Sequence, residues 1–205
     1  MSNKELQRLP LMEHFYTIQG EGAYTGHAAY FLRLGGCNVG CVWCDVKDSW
    51  DANAHPQVSV EHLTTLVKEN SESKLVVITG GEPAMYNLHS LTDKLQSSGY
   101  QTHIETSGAY PIQGTFDWIT LSPKKFKAPV TSAMDKANEL KVVIYNKSDF
   151  AWAEEHAKQV NKSCKLFLQP EWSKHEKMQL LIFEYVKENP QWQISLQTHK
   201  YLGVD

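Results

Sequence analysis

No apolar run in this chain of 205 residues approaches the ~18 that a membrane-spanning helix needs. The opening stretch MSNKELQRLP lacks the apolar core of a secretory leader, which predicts a cytoplasmic protein. Basic charge is not in excess: 20 Lys and Arg stand against 23 Asp and Glu, for a formal net charge of -3. The electrostatic footprint of a direct nucleic-acid binder is therefore missing. There are no internal repeats, no low-complexity tract and no linker that would split the chain, so residues 1–205 read as one domain. Cysteine is scarce, at four residues. A chain of this length buries roughly 70% of its unfolded surface and needs no disulfide to fold.

What is present alternates between short β-rich runs and longer polar segments. The strands expected are AAYFLRL (28–34), KLVVIT (74–79), YQTHIET (100–106), DWITLS (117–122), ELKVVIY (139–145) and KLFLQP (165–170), with WQISLQT (192–198) at an edge. Several are too continuously apolar for a one-sided sheet and predict strands buried on both faces. Between them SVEHLTTLVKEN (59–70), NLHSLTDKLQSSG (87–99), SDFAWAEEHAKQV (148–160) and SKHEKMQLLIFEYVKENP (173–190) show helical spacing behind Ser or Asn caps. This βαβ alternation predicts an α/β fold with about six mostly parallel strands. A partial or full β/α barrel and an open doubly wound sheet both satisfy it. Either one gathers ligands at the carboxyl ends of the strands.

Three of the four cysteines crowd into GGCNVGCVWCDVKDSW (35–50), at Cys37, Cys41 and Cys44. In a reducing compartment such a cluster points to metal or catalysis rather than disulfides. Three thiolates suit a [4Fe–4S] cube with one iron left open for a small molecule. Zinc with His55 as a fourth ligand, or three unliganded thiols, remain alternatives on this stretch alone. Cys164 precedes an apolar strand and reads as a small core residue.

The pattern Cys-x3-Cys-x2-Cys after the first strand, with aromatic Trp43 before the last cysteine, resembles the radical S-adenosylmethionine (SAM) superfamily. VVITGGEPAMY (76–86) resembles that superfamily's GGEP motif, which implies that Gly81 and Glu82 lie at the SAM amino group. The stretches HIETSG (103–108), LSPKKF (121–126) and LQPEW (168–172) fall at later strand ends. The resemblance implies a partial β/α barrel and a SAM site lined by Trp43, Asp45 and Thr106, by Ser122, Pro123 and Lys124, and by Gln169, Pro170, Glu171 and Trp172.

Upstream, FYTIQGEGAYTG (15–26) reads as a polar, glycine-rich loop within a substrate segment of about residues 12–27. Gln19 and Glu21 offer groups suited to a flat heterocycle, and Arg33 offers a carboxylate clamp or a structural ion pair. QGEG, then Arg33, then the cysteines, then TGGEP resembles the 7-carboxy-7-deazaguanine synthase family. That likeness implies conversion of 6-carboxy-5,6,7,8-tetrahydropterin to 7-carboxy-7-deazaguanine with loss of ammonia, on the route to queuosine. It implies a substrate site of Ile18, Gln19, Gly20, Glu21, Arg33, Thr79 and Glu105, with the terminal Asp205 as a further contact. It also implies a [4Fe–4S] cluster, SAM and Mg2+ as cofactors, a flavodoxin- or ferredoxin-like electron donor, and a homodimer. One departure stands out. Val46 occupies the position where the family places a Thr or Ser ligand for Mg2+, and Lys47 beside it is expected to neutralise the substrate carboxylate instead. A glycyl-radical activase is the competing reading within the superfamily, and a zinc-stabilised binding module the competing reading outside it.

Overall fold

The computed structural model describes residues 7–204. Nine strands among the described residues form one sheet: β1 (Arg8–Ile18), β2 (Ala28–Leu34), β3 (Gln57–Ser59), β4 (Leu75–Gly80), β5 (Gln101–Thr106), β6 (Trp118–Leu121), β7 (Glu139–Ile144), β8 (Lys165–Pro170) and β9 (Trp192–Ile194). The spatial order is β3-β1-β2-β4-β5-β6-β7-β8-β9. From β2 onward every pair along that order is parallel, whereas β1 is antiparallel to both β2 and β3. A doubly wound sheet must reverse its strand order at a switch point. From β2 to β9 this order never reverses, so of the two architectures open from the residues the partial barrel is the one adopted.

The helices α1 (Val60–Asn70), α2 (His89–Ser97), α3 (Thr131–Lys136), α4 (Ser148–Ala157) and α5 (His175–Glu188) all feed one apolar core. In α1 the cap is Ser59, whose hydroxyl accepts from His62 N at 3.2 Å, and Val60, Leu63 and Val67 point inward at helical spacing. The strands supply Tyr30, Leu32, Val76, Ile78, Ile104, Leu140 and Val142 to that core. Because side chains alternate across a strand, the residues between these turn to the other, concave face. There the register aligns Arg33 with Thr79, and Glu105 with Thr120 and then Glu139. The apolar look of the strands thus hides a charged inner face.

Two expectations are corrected. Residues 15–18 are not loop: they end β1, which pairs with β2 as a hairpin, and only 19–27 connect the two. Pro10 and the charged residues of RLPLMEHFYTI mask the strand, and Pro10 is tolerated because its carbonyl still accepts from Gly35 N at 2.9 Å. The last strand stops at Ile194, and residues 198–202 form a short helix, α6 (Thr198–Leu202), that turns back over the sheet.

Deep on the concave face His103 is buried against Tyr24, ring centroids 4.4 Å apart and edge-on, and its Nε2 has no hydrogen-bond partner. Burial, opposed by Asp117 and aided by His27, lowers its pKa from 6.5 to about 4. Below pH 6.5 the unfolded chain takes up a proton that the folded chain refuses until about pH 4. Stability therefore falls as the pH drops through that window, by about 3 kcal/mol in all. Urea unfolding of His103→Phe across the same range is expected to show a flatter profile. An unchanged slope would assign the titration to another group.

Candidate active site

One cavity of about 400 Å³ opens at the carboxyl ends of the parallel strands, within the usual size range of small-molecule sites. Its wall brings together residues from across the chain. Cys37, Cys41 and Cys44 line it together with Ile18, Gln19, Gly20, Glu21, Arg33, Thr79 and Glu105. Trp43, Asp45, Gly81, Thr106, Ser122 and Lys124 lie along the wall as well, and so does the run from Gln169 to Trp172. Glu82 and Pro123 do not line it, and Asp205 lies outside the described residues.

The cysteine loop is fixed at its base. Gly36 N donates to Ser49 O at 2.6 Å and Cys37 N to Trp50 O at 3.1 Å. The GGEP turn lies directly on that base: Gly81 N donates to Leu34 O at 3.0 Å and Glu82 N to Gly36 O at 2.9 Å. A Cβ on Gly81 would stand 2.5 Å from Gly36 O and 2.7 Å from the Cβ of Cys37, so only glycine permits this contact. The three thiols are free. Burial, together with Glu82 and Cys44, pushes the Cys37 thiol up. Burial, opposed by Lys124 and aided by Cys44 and Cys37, takes Cys41 to about 11. Three thiols lining one cavity, with those of Cys37 and Cys41 raised, form a donor set that a thiophilic cationic centre would draw to thiolate. His55, the expected fourth ligand of a zinc site, is committed elsewhere: its Nε2 donates to Asp48 O at 2.9 Å.

Glu82 has a local task. Its carboxylate accepts from Thr106 Oγ1 at 2.5 Å, from Ser107 N at 2.9 Å, from Ala84 N at 2.9 Å and from the Ser107 hydroxyl. It ties the GGEP turn to the end of β5 and does not face the cavity. Lys124 Nζ donates to Ser122 Oγ at 2.6 Å and lies 5.3 Å from the centre of the Trp43 ring. Burial lowers its pKa, with Cys41 opposing. Arg33 realises the structural ion pair, Nε to Glu13 Oε1 at 2.5 Å, while still facing the cavity. Lys47 corrects an expectation: it is exposed and does not line the cavity.

Gln19, Glu21 and Glu105 form a hydrogen-bonded frame. Gln19 Nε2 donates to Glu105 Oε1 at 2.8 Å, and Glu21 N donates back to Gln19 Oε1 at 3.1 Å. The segment leading into α6 covers this frame: Thr198 N donates to Gly20 O at 2.9 Å, Gln197 Nε2 to Glu21 Oε1 at 2.9 Å, and Lys200 Nζ to Asp45 Oδ2 at 3.0 Å. Gln197, His199, Lys200 and Lys141 line the cavity but escaped sequence reasoning. For Lys141 a signal existed, a lysine in the middle of the apolar run ELKVVIY.

Comparison with known proteins agrees with this geometry. Residues 32–141 match the profile of the Radical SAM superfamily. The chain is 55% identical to the 7-carboxy-7-deazaguanine synthase of Flavobacterium psychrophilum, covering 100% of both chains. It is 50% identical to the synthase of the same name from Synechocystis, over 95% of this chain and 93% of the other. The crystal structure of QueE from Escherichia coli superposes with a TM-score of 0.83 at 32% identity, covering 94% of this chain and 95% of that one.

Proposed function

The chain belongs to the 7-carboxy-7-deazaguanine synthase family of radical SAM enzymes, and from that premise we propose that it converts 6-carboxy-5,6,7,8-tetrahydropterin to 7-carboxy-7-deazaguanine and ammonia. The observation that carries this reading is the meeting of two side-chain sets in one cavity: three thiols, and a carboxylate and amide frame suited to an amino-pyrimidine edge. Substrate minus one ammonia equals product, so turnover consumes no net oxidant and SAM acts catalytically. The activase and zinc-module readings are not favoured, since the relatives carry the synthase name over nearly their whole length.

Family membership implies a [4Fe–4S] cluster and SAM. Together, when bound, they supply one-electron chemistry able to remove hydrogen from an unactivated carbon. The chain's own residues bind and orient. Cys37, Cys41 and Cys44 would hold the cluster. Trp43, Gly81, Lys124 and the Gln169–Trp172 run line the place for SAM. Glu21 and Glu105 accept from the pterin's N–H groups, and Arg33 and Lys200 offer positive charge for its carboxylate. Mg2+ enters as part of this proposal. Val46 lacks a side-chain oxygen and its carbonyl is taken by Ser49 N at 3.1 Å, so the ion would draw on Asp45, whose Oδ2 otherwise accepts from Lys200 at 3.0 Å. We also carry a flavodoxin- or ferredoxin-like donor, supported by the exposure of Val42 on the cysteine loop, and a homodimer, supported by exposed Leu180 and Phe183 on α5. The chain acts as one radical SAM domain over a single main core.

Anaerobic incubation with reductant, SAM and the carboxylated tetrahydropterin tests the reading. Formation of the deazaguanine with equimolar ammonia is expected, and a pterin without the 6-carboxylate is expected to remain unconverted. SAM cleavage with the carboxylated pterin left intact would overturn the proposal.

A further inference from the structure

Lys141 is the only lysine classed as buried among the described residues, and it projects from the middle of β7 into the active-site cavity. Its ammonium pairs with Glu21, from the loop after β1, and with Glu105 of β5, at 3.5 Å. The second oxygen of each carboxylate is held by an amide, Gln197 on Glu21 and Gln19 on Glu105. Glu139, two residues back on β7, turns elsewhere: it accepts from Ala23 N at 2.9 Å, Trp118 Nε1 at 3.2 Å and Thr120 Oγ1 at 3.1 Å. His199 from α6 and Lys124 after β6 complete the titratable groups that act on this cluster. None of the roles described above uses Lys141.

Two carboxylates facing one desolvated cavity discourage each other's ionisation. Left to themselves, one would keep its proton and present an O–H donor where a heterocycle presents N–H donors. We propose that Lys141 is the positioning residue for the nitrogen-rich edge of the substrate: its ammonium holds Glu21 and Glu105 ionised side by side, so that both accept from adjacent N–H and NH2 groups. The proposal rests on the pterin reading above. Burial alone would raise the pKa of Glu21, but the charge and hydrogen bond of Lys141, with Gln197 and His199, take it down to about 2. Burial likewise opposes the charge on Lys141, and Glu105, Glu21 and Glu139 overcome it and hold the group above the ordinary lysine range.

The test measures steady-state kinetics and calorimetric binding of the carboxylated tetrahydropterin between about pH 6 and 8. Wild type binds with a flat profile. Lys141→Met raises KM by about 100-fold, the scale for removing one partner of a buried charge pair, while kcat changes little. Its affinity now climbs with pH, because one carboxylate ionises within the range. Lys141→Arg restores the flat profile. If Lys141→Met fails to fold, the double variant Lys141→Met/Glu21→Gln removes the like-charge pair together with its counter-ion. It is expected to bind weakly with no pH dependence, and a rising profile there would overturn the proposal. An unchanged KM in folded Lys141→Met, or an equal loss of affinity at every pH, would also overturn it. Wild type that binds and converts the pterin separates such a failure from failure of the functional reading, which wild type inert toward the pterin would sink along with this proposal.

Discussion

Cys41→Ala, reconstituted anaerobically with iron and sulfide, forms product at least about four orders of magnitude more slowly than wild type and retains little iron. Cys41 is the buried member of the three, packed with Val39 and Ala109 at the back of the loop. Its loss removes one corner of a three-point attachment, and nearby groups do not replace it: His55 is committed to Asp48 O, and Asp45 to Lys200. The matched control is Cys164→Ala. That thiol is also buried and also raised, to about 12, by burial foremost, but it belongs to the core under the sheet. Its replacement is expected to cost about 1–2 kcal/mol of stability while leaving iron content and turnover at wild-type levels. Equal iron loss in both variants would mean that the effect reports general unfolding and not cluster ligation. Because the Cys41 thiol stands near 11 without metal, loading must release protons, and cluster assembly is expected to run faster as pH rises toward 9.

Gly81→Ala is expected to lower kcat/KM by about 100-fold, through positioning alone, since the variant removes no functional group. The added methyl has no room to settle. Gly36 O and the Cys37 Cβ both lie within 2.7 Å of where it would sit, and both are anchored by main-chain bonds to Glu82 N and Trp50 O. Either the GGEP turn lifts from the end of β4 or the cysteine loop shifts at its base. Both displace the thiols relative to the wall on which Thr79 and Gly81 lie. The readouts are SAM affinity and iron content beside activity. Weakened SAM binding with near-normal iron would place the shift in the turn, and iron loss would place it in the loop. Wild-type values of all three would contradict the close packing described for this turn.

Much of this arrangement is legible in the chain because the relevant signals are local. AAYFLRL and KLVVIT announce strands through β-branched and apolar runs, and the clustered cysteines follow the first of them without a gap. The alternation of strands and helices limits the architecture to two, but the choice between them depends on the order in which strands pair. That is a non-local property carried by no single segment. β1 escaped because Pro10 and the polar Glu13 and His14 break the usual strand composition, while its hairpin with β2 makes them tolerable. The covering segment around Gln197 to Lys200 escaped for a similar reason. THKYL is too short to show helical periodicity, and it is held in place by Gly20 O, Glu21 and Asp45 from distant parts of the chain. Glu82 shows the limit of motif reading. The motif marks the right turn, but the direction of the carboxylate is decided by Thr106 and Ser107, which arrive from β5. Lys141 was visible as an oddity in ELKVVIY, and its meaning needed the two glutamates that the fold brings to it.

Cys37, Cys41 and Cys44 would hold an iron–sulfur cluster that binds SAM in the cavity they share with the carboxylate frame. Iron and acid-labile sulfide analysis of the anaerobically prepared protein, followed by electron paramagnetic resonance of the reduced state with and without SAM, tests it most directly. About four irons and four sulfides per chain are expected, with a resonance that changes when SAM is added. Bound zinc without sulfide, or a reduced cluster whose resonance is indifferent to SAM, would contradict it.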